Sequence, residues 1–307
     1  VLTREFDFAA DAEVALEVDP RVTSLEQLQT LRALGFNRIS LGVQDFNPEI
    51  QRLVNRRQTF EETARITEEA RSLGYDSVNF DLIYGLAKQT KETMMETVEK
   101  TKMLKPDRIA LYSFALVPWI KPAQRLFKYE FAREQLITAG YVEVGMDHFA
   151  LPNEALAMAM KNKTLHRNFM GYTDQKSNVM LGLGVSSISE TPYSFHQNEK
   201  VLAKYEELLM ADKLPTSRGH VLTEEDRARR DQILTLMTTS QVQLNDEQKN
   251  QSQEFLHEMI QDGLVSLQHN TLMLTDAGKP FLRNMCMFFD EHLKRSKPQT
   301  RIFSQSL

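Results

Sequence analysis

Polar side chains, among them acids, an amide and a guanidinium, stand at or past the ends of β-type runs in the first third of the chain. ALEVDP ends a run with Glu17 and Asp19, RISLGVQ ends in Gln44, and SVNFDLIYGL places Asp81 near its close. Arg56 follows Gln44 after the short stretch DFNPEIQRLVN. A carboxylate such as Glu17 can accept two hydrogen bonds from a vicinal diol, as acidic residues do at ribose. Gln44 can donate to and accept from the same hydroxyls. Arg56 offers a planar fork that matches a carboxylate, and Asp81 suits an ammonium or a hydroxyl. Together the four suit a ligand with a ribose, an amine and a carboxylate, such as an amino-acid-bearing nucleoside. Singly, each has a plainer reading: Arg56, beside Arg57, as a surface arginine, and Glu17 and Asp81 as ion-pair staples between strands. Recurrence at three strand ends favours the site.

The elements that must position these groups alternate. Strand patterns at AEVALEVD, RISLGVQ, SVNFDLIYGL and RIALYSFAL are separated by helical patterns over 24–34, 59–74 and 90–104, begun by Ser24, Thr59 and Thr90. Glu17, Gln44 and Asp81 lie 27 and 37 positions apart, which brackets a βα repeat of roughly 30 residues. Such alternation predicts a parallel sheet with helices outside, and strand-end polar groups predict the functional rim of a β/α barrel. Four or five strands do not close a barrel, so an open barrel, or strands preceding Val1, is expected. KPAQRLFKYEFAREQL predicts a helix ended by Gly140, and GYVEVGMDHFAL a short strand with Asp147 and His148 at its end.

The rest of the chain has another character. HRNFMGYTDQKSNVMLGLGVSSIS is loop-rich and glycine-spaced, with His166 and Arg167 at its start. His148, His166 and Arg167 are candidates for binding the carboxylates of an anionic substrate. TEED opens a helix over 223–239, a second helix is expected over 251–262, LVSLQHNTLMLT reads as a hairpin turning at His269-Asn270, and a last helix runs to about Leu293. Helices followed by a hairpin suggest a winged-helix-like module. The helix before the wing carries Glu254, Glu258 and Asp262 and no Lys or Arg, so a phosphate backbone would be repelled. Two domains are expected, a partial barrel over 1–200 and a mainly helical domain over 201–307.

Composition narrows the function classes. The 307 residues carry a net charge of −5, which argues against a nucleic-acid or anionic-membrane surface, and no apolar run has the roughly 20 residues of a membrane span. The single cysteine, Cys286, excludes an internal disulfide and cannot alone hold a structural zinc or an iron–sulfur cluster. It sits in an apolar helical pattern and reads as a buried core thiol. No metal site, a cytoplasmic location and a monomeric state are expected. The fourteen methionines read as core filler.

The segments EVDP, RISLGVQDFNPEIQRLVNR, NFDLIYGLAKQT, KPDRIALYSFA, GMDHFA, HRNF–GYT and LRNMCMFFD resemble, in collinear order, the oxygen-independent coproporphyrinogen III oxidases, radical S-adenosylmethionine (SAM) enzymes of haem biosynthesis. The resemblance implies an open, partial radical SAM β/α barrel followed by a helical domain. It implies oxidative decarboxylation of two propionates of coproporphyrinogen III to vinyl groups, giving protoporphyrinogen IX. It further implies two SAM molecules, a [4Fe–4S] cluster and an electron donor for it. Glu17, Gln44, Arg56, Asp81, Ala115 and Ile188 fall on SAM-contacting positions of that family. The family's CxxxCxxC cluster motif is absent, so the chain is expected to lack an N-terminal cluster-binding segment and to be inactive alone. A loop is expected to be shorter near Arg125-Leu126, and Met170 replaces a glutamine that the family places at the second SAM. Alternatives are a haem-carrying chaperone of the related radical SAM group, a β/α-barrel hydrolase or aldolase using Glu17, Asp81 and His148, and a non-catalytic relative.

Overall fold

The computed structural model describes residues 2–114 and 122–296. They form two compact units that divide after Ala157. The boundary expected at 200 lies well inside the second unit. Small antiparallel sheets between 166 and 221 account for the difference, since they pack among themselves and not as further βα repeats.

The first unit holds helices α1 (Leu2–Glu5), α2 (Leu25–Ala33), α3 (Pro48–Leu53), α4 (Phe60–Ser72), α5 (Lys91–Leu104) and α6 (Pro122–Thr138). Its strands are β1 (Ala15–Val18), β2 (Arg38–Gln44), β3 (Ser77–Tyr84), β4 (Arg108–Ser113), β5 (Val142–Gly145) and β6 (His148–Ala150), and the unit boundary falls within α7 (Ala155–Lys161). Strand order is β1-β2-β3-β4-β6-β5; β1 to β4 are parallel, and β6 runs antiparallel to both β4 and β5. The helices begin where the capping chemistry dictates. Ser24, Thr59 and Thr90 each close a capping box at α2, α4 and α5. Gly35, Gly74 and Gly140 follow α2, α4 and α6 with φ of 95°, 77° and 91°, a conformation that only glycine adopts freely.

Side-chain alternation splits the sheet into two faces. Ile39, Leu41 and Val43 of β2, Val78, Phe80 and Leu82 of β3, Ile109 and Leu111 of β4 and Phe149 of β6 are all buried in one core. That core includes Leu28 of α2, Ile66 of α4, Met94 and Val98 of α5 and Leu136 of α6. The opposite face is polar or small. In register across it run Glu17, Ser40, Asn79 and Arg108, and one step further Gly42, Asp81, Ala110 and His148. Arg108 anchors the lower end of this face, pairing with Glu13 at 2.9 Å and with buried Glu154.

One expectation is corrected here. Asp147 and His148 do not end a strand: Met146 takes φ 49°, the chain turns, and His148 opens β6. Because β6 is antiparallel to β4, its first residue reaches the same rim as the C-terminal ends of the parallel strands.

The second unit contains β7 (His166–Asn168) paired with β8 (Gly171–Thr173), a sheet of β9 (Ile188–Glu190), β10 (Ser194–Asn198) and β11 (Thr216–Val221), and a sheet of β12 (Gln241–Gln243), β13 (Val265–Gln268) and β14 (Thr271–Leu274). Its helices are α8 (Leu202–Met210), α9 (Glu224–Thr239), α10 (Asp246–Phe255), α11 (His257–Gln261), α12 (Leu282–Cys286) and α13 (Glu291–Ser296). The α9 capping box at Thr223 and the β13–β14 turn, with His269 at φ 54°, match expectation. The helix expected over 251–262 starts earlier, at an Asn245–Gln248 capping box, and breaks at buried Leu256. The last helix is likewise two short helices separated by a 3₁₀ turn.

Candidate active site

The rim of the first sheet is built around a residue with no side chain. A Cβ placed on Gly42 would lie 2.9 Å from Nη2 of Arg56 and 2.9 Å from Nε2 of Gln44. The guanidinium and the amide thus converge over Gly42, on the polar face, and Asp81 is the register partner of Gly42 on β3.

Each group is aimed by a local device. The β2–β3 register shifts between Gly42 and Gln44, and Gln44 takes φ 67° while Asp45 N donates to Val43 O at 2.8 Å. A non-glycine residue in this region costs on the order of 1–3 kcal/mol, and such strain gathers at functional sites. Here it turns the Gln44 amide back over the sheet. The next residue, Asp45, is fully buried as a brace. Its Oδ1 accepts from Asn47 N and from Thr97 Oγ1, both at 2.7 Å, and its Oδ2 from Gln89 Nε2 at 2.8 Å. Capping of α3 falls to Asn47, whose side chain accepts from Glu49 N and Ile50 N.

Arg56 is held from behind by a buried glutamine pair. Gln51 Oε1 accepts from Gln58 N at 3.0 Å, Gln51 Nε2 donates to Asp45 O at 2.7 Å, and Gln58 Oε1 accepts from Arg56 Nε at 3.4 Å. No carboxylate among the described residues pairs directly with the Arg56 guanidinium. Burial pulls its pKa below the ordinary value, opposed by the fields of Asp19 and Asp81. Asp19 is already engaged by Arg21 at 2.6 Å, which holds its pKa near 2. A half-buried guanidinium that no side-chain carboxylate engages suits a carboxylate ligand.

Asp81 accepts from Asn79 Nδ2 at 2.9 Å and from Ser40 Oγ at 3.3 Å. Burial, with a contribution from the Glu17 carboxylate, nonetheless raises its pKa; the two hydrogen bonds and His148 act the other way. Glu17 stands exposed on the outermost strand, β1. His148 Nδ1 lies 2.9 Å from Asp147 Oδ1, and its ring meets Tyr112 edge-on at 6.1 Å.

The first unit therefore brings together Glu17, Gln44, Arg56, Asp81 and His148. Ala115 lies outside the described residues, and Arg125-Leu126, where a shortened loop was expected, fall within α6. Ile188 is on β9, and His166 and Arg167 are on β7, all in the second unit. Exposed Met170 occupies the β7–β8 turn. Sequence reasoning missed Gly42, Ser40 and Asn79; the period-2 spacing of Ser40, Gly42 and Gln44 was the available signal.

The donor set fits SAM. Acid, amide, guanidinium and a second acid answer its ribose, its methionine carboxylate and its ammonium, and Gly42 leaves room for close approach. The chain does not fit an iron–sulfur cluster, which needs several thiolates. The one cysteine, Cys286, is buried in the second unit, and burial pushes its thiol up to about 12. Among the described residues one trio gathers potential metal-ligand atoms, and its members are hydrogen-bonded to one another: His220 and His292 Nε2 lie 3.3 and 2.8 Å from the two oxygens of Asp226. That carboxylate also closes the α9 capping box, and hydrogen bonds from Thr223 and both imidazoles hold its pKa low.

A mostly parallel βα sheet with polar side chains gathered at its strand ends agrees with the radical SAM class, and the radical SAM superfamily profile matches residues 2–101. Two curated relatives named oxygen-independent coproporphyrinogen III oxidase, from Salmonella typhimurium and Escherichia coli K12, are each 39% identical over 99% of this chain and 72% of their own length. One from Synechocystis is 35% identical over 100% of this chain and 71% of its own. The solved Escherichia coli coproporphyrinogen III oxidase, described as a radical SAM enzyme, superposes with a TM-score of 0.89 at 39% identity, covering 95% of this chain and 73% of that one. The chain belongs to the oxygen-independent coproporphyrinogen III oxidase family.

Proposed function

We propose that this chain carries the SAM-binding rim of an oxidase that decarboxylates two propionates of coproporphyrinogen III to give protoporphyrinogen IX in haem biosynthesis. The convergence of Gln44 and Arg56 over Gly42, beside Asp81, carries the reading. SAM, held by these residues, would supply the radical chemistry of the decarboxylation. The residues of this chain bind and orient. Glu17 and Gln44 take ribose hydroxyls, Arg56 the methionine carboxylate and Asp81 the ammonium, so that SAM is fixed before substrate arrives. A second SAM and contacts from Ala115 and Ile188 belong to the same proposal. His148, on the rim beside Asp81, is assigned to the substrate side of the site. The single cysteine of this sequence does not supply the several thiolates that a cluster needs.

The test has two parts. The chain alone should bind SAM in calorimetry, and Arg56→Gln and Asp81→Asn should each weaken binding. The whole gene product, reconstituted anaerobically with iron and sulfide, should convert coproporphyrinogen III when given SAM and a reductant. An intact cluster and bound SAM without turnover would refute the assigned activity.

A further inference from the structure

The second unit contains a cavity of about 350 Å³, within the range of small-molecule sites, between the β7–β8 hairpin, the 173–178 loop and one face of α9. The spacing of Arg227, Arg230, Asp231 and Leu234 places all four on that face. Four permanent cations line the cavity, Arg167, Lys176, Arg227 and Arg230, against two carboxylates, Glu190 and Asp231.

Two of these charges are spent on structure. Arg230 pairs with Glu190 through Nη2 and donates from Nη1 to Thr191 O at 3.0 Å, and the other Glu190 oxygen accepts from Phe169 N at 2.9 Å. Arg167 and Arg227 are different. Nη1 of Arg167 and Nε of Arg227 are buried and have no hydrogen-bond partner. Their guanidiniums are fixed over aromatic rings, Arg167 above Tyr172 at 4.6 Å and Arg227 above Tyr193 at 5.4 Å. Tyr172 is itself anchored by its hydroxyl, which donates to Met237 O at 2.9 Å. Among the described residues Arg227 forms an ion pair with Glu224, at 3.9 Å and almost wholly exposed, and Asp231 lines the same cavity. A buried charged donor left without an acceptor is costly unless something else satisfies it. Two ring-stacked guanidiniums on one cavity, each with a buried N–H that no acceptor meets, form an anion site of fork geometry.

We infer that this cavity is a carboxylate site that receives propionate arms of the porphyrinogen, with Arg167 and Arg227 as its paired receptors. The inference rests on the proposed substrate and adds to it a carboxylate recognition site within the second unit. Arg230 and Glu190 serve as the scaffold of that site.

The probe is coproporphyrin III, the stable oxidised tetracarboxylate, titrated by fluorescence against the whole protein, with its tetramethyl ester as control. Wild-type protein should bind the acid and not the ester. Arg167→Gln and Arg227→Gln should each weaken binding about 10-fold, Arg227→Lys should recover part of the loss, and SAM affinity and melting temperature should not change. If a folded double variant binds coproporphyrin as tightly as wild type, the carboxylate site is refuted while the SAM reading stands. If wild-type protein binds SAM but neither porphyrin, the substrate assignment fails along with it.

Discussion

Gly42 offers the sharpest perturbation, because a single methyl group tests the geometry of the whole rim. It lies within β2 and has no positive φ, so alanine meets no backbone strain there. Its new Cβ would sit 2.9 Å from both the Arg56 guanidinium and the Gln44 amide, and ordinary contact begins at 3.4 Å. Each group must therefore retreat by 3.4 − 2.9 = 0.5 Å, about the tolerance of a preorganised site. Both atoms end flexible side chains, so the fold absorbs the change, and Gly42→Ala should alter stability by less than about 1 kcal/mol. The lost interaction is a charged hydrogen bond to the SAM carboxylate, worth about 1.5–3 kcal/mol, or about 10- to 100-fold in affinity. Calorimetry with SAM measures it, and a double-mutant cycle with Arg56→Ala assigns it. In the Arg56→Ala background most of the Gly42→Ala effect should vanish. Gly42→Ala protein that binds SAM as wild type does would show that Arg56 and Gln44 do not act over Gly42.

Acidification should weaken SAM binding as Asp81, raised above 3.8 by burial, takes up its proton, and Asp81→Asn should remove both the affinity and this pH dependence. The sign for stability is opposite: a carboxylate with a raised folded pKa contributes most below the unfolded value and loses that contribution as pH rises, so Asp81 is not a source of acid unfolding. Urea melts as a function of pH distinguish the two. Asp45→Ala should cost about 3 kcal/mol or more in urea denaturation, because Asn47 N, Thr97 Oγ1 and Gln89 Nε2 lose their acceptor; a loss under about 1 kcal/mol would contradict the brace. Cys286, with its thiol pushed up to about 12, should resist iodoacetamide at pH 8 in folded protein and react fully in urea. Rapid labelling of the native state would show the thiol to be accessible.

The first unit was readable where chemistry is local. Ser24, Thr59 and Thr90, and Thr223 in the second unit, announced their helices because a capping box needs only four consecutive residues. Strand-end acids located the rim because alternation and βα spacing are also local. What escaped depended on distance along the chain. The role of Gly42 exists only because Arg56, fourteen residues on, folds back over it. The antiparallel sheet of β9, β10 and β11 has no clean apolar alternation, since its strands are half-buried or exposed, and pairing defines it. The cavity beside Arg167 draws Arg227 from a helix 60 residues later, and no spacing rule joins them.

The account rests on the rim of the first sheet as the SAM site, and hydrogen exchange with and without SAM reads that rim directly. Peptides spanning 40–58 and 77–85 should gain protection on adding SAM, and Arg56→Gln should abolish the gain without raising exchange in the unliganded protein. Protection confined to other segments, or none at SAM concentrations that saturate a calorimetric titration, would contradict it.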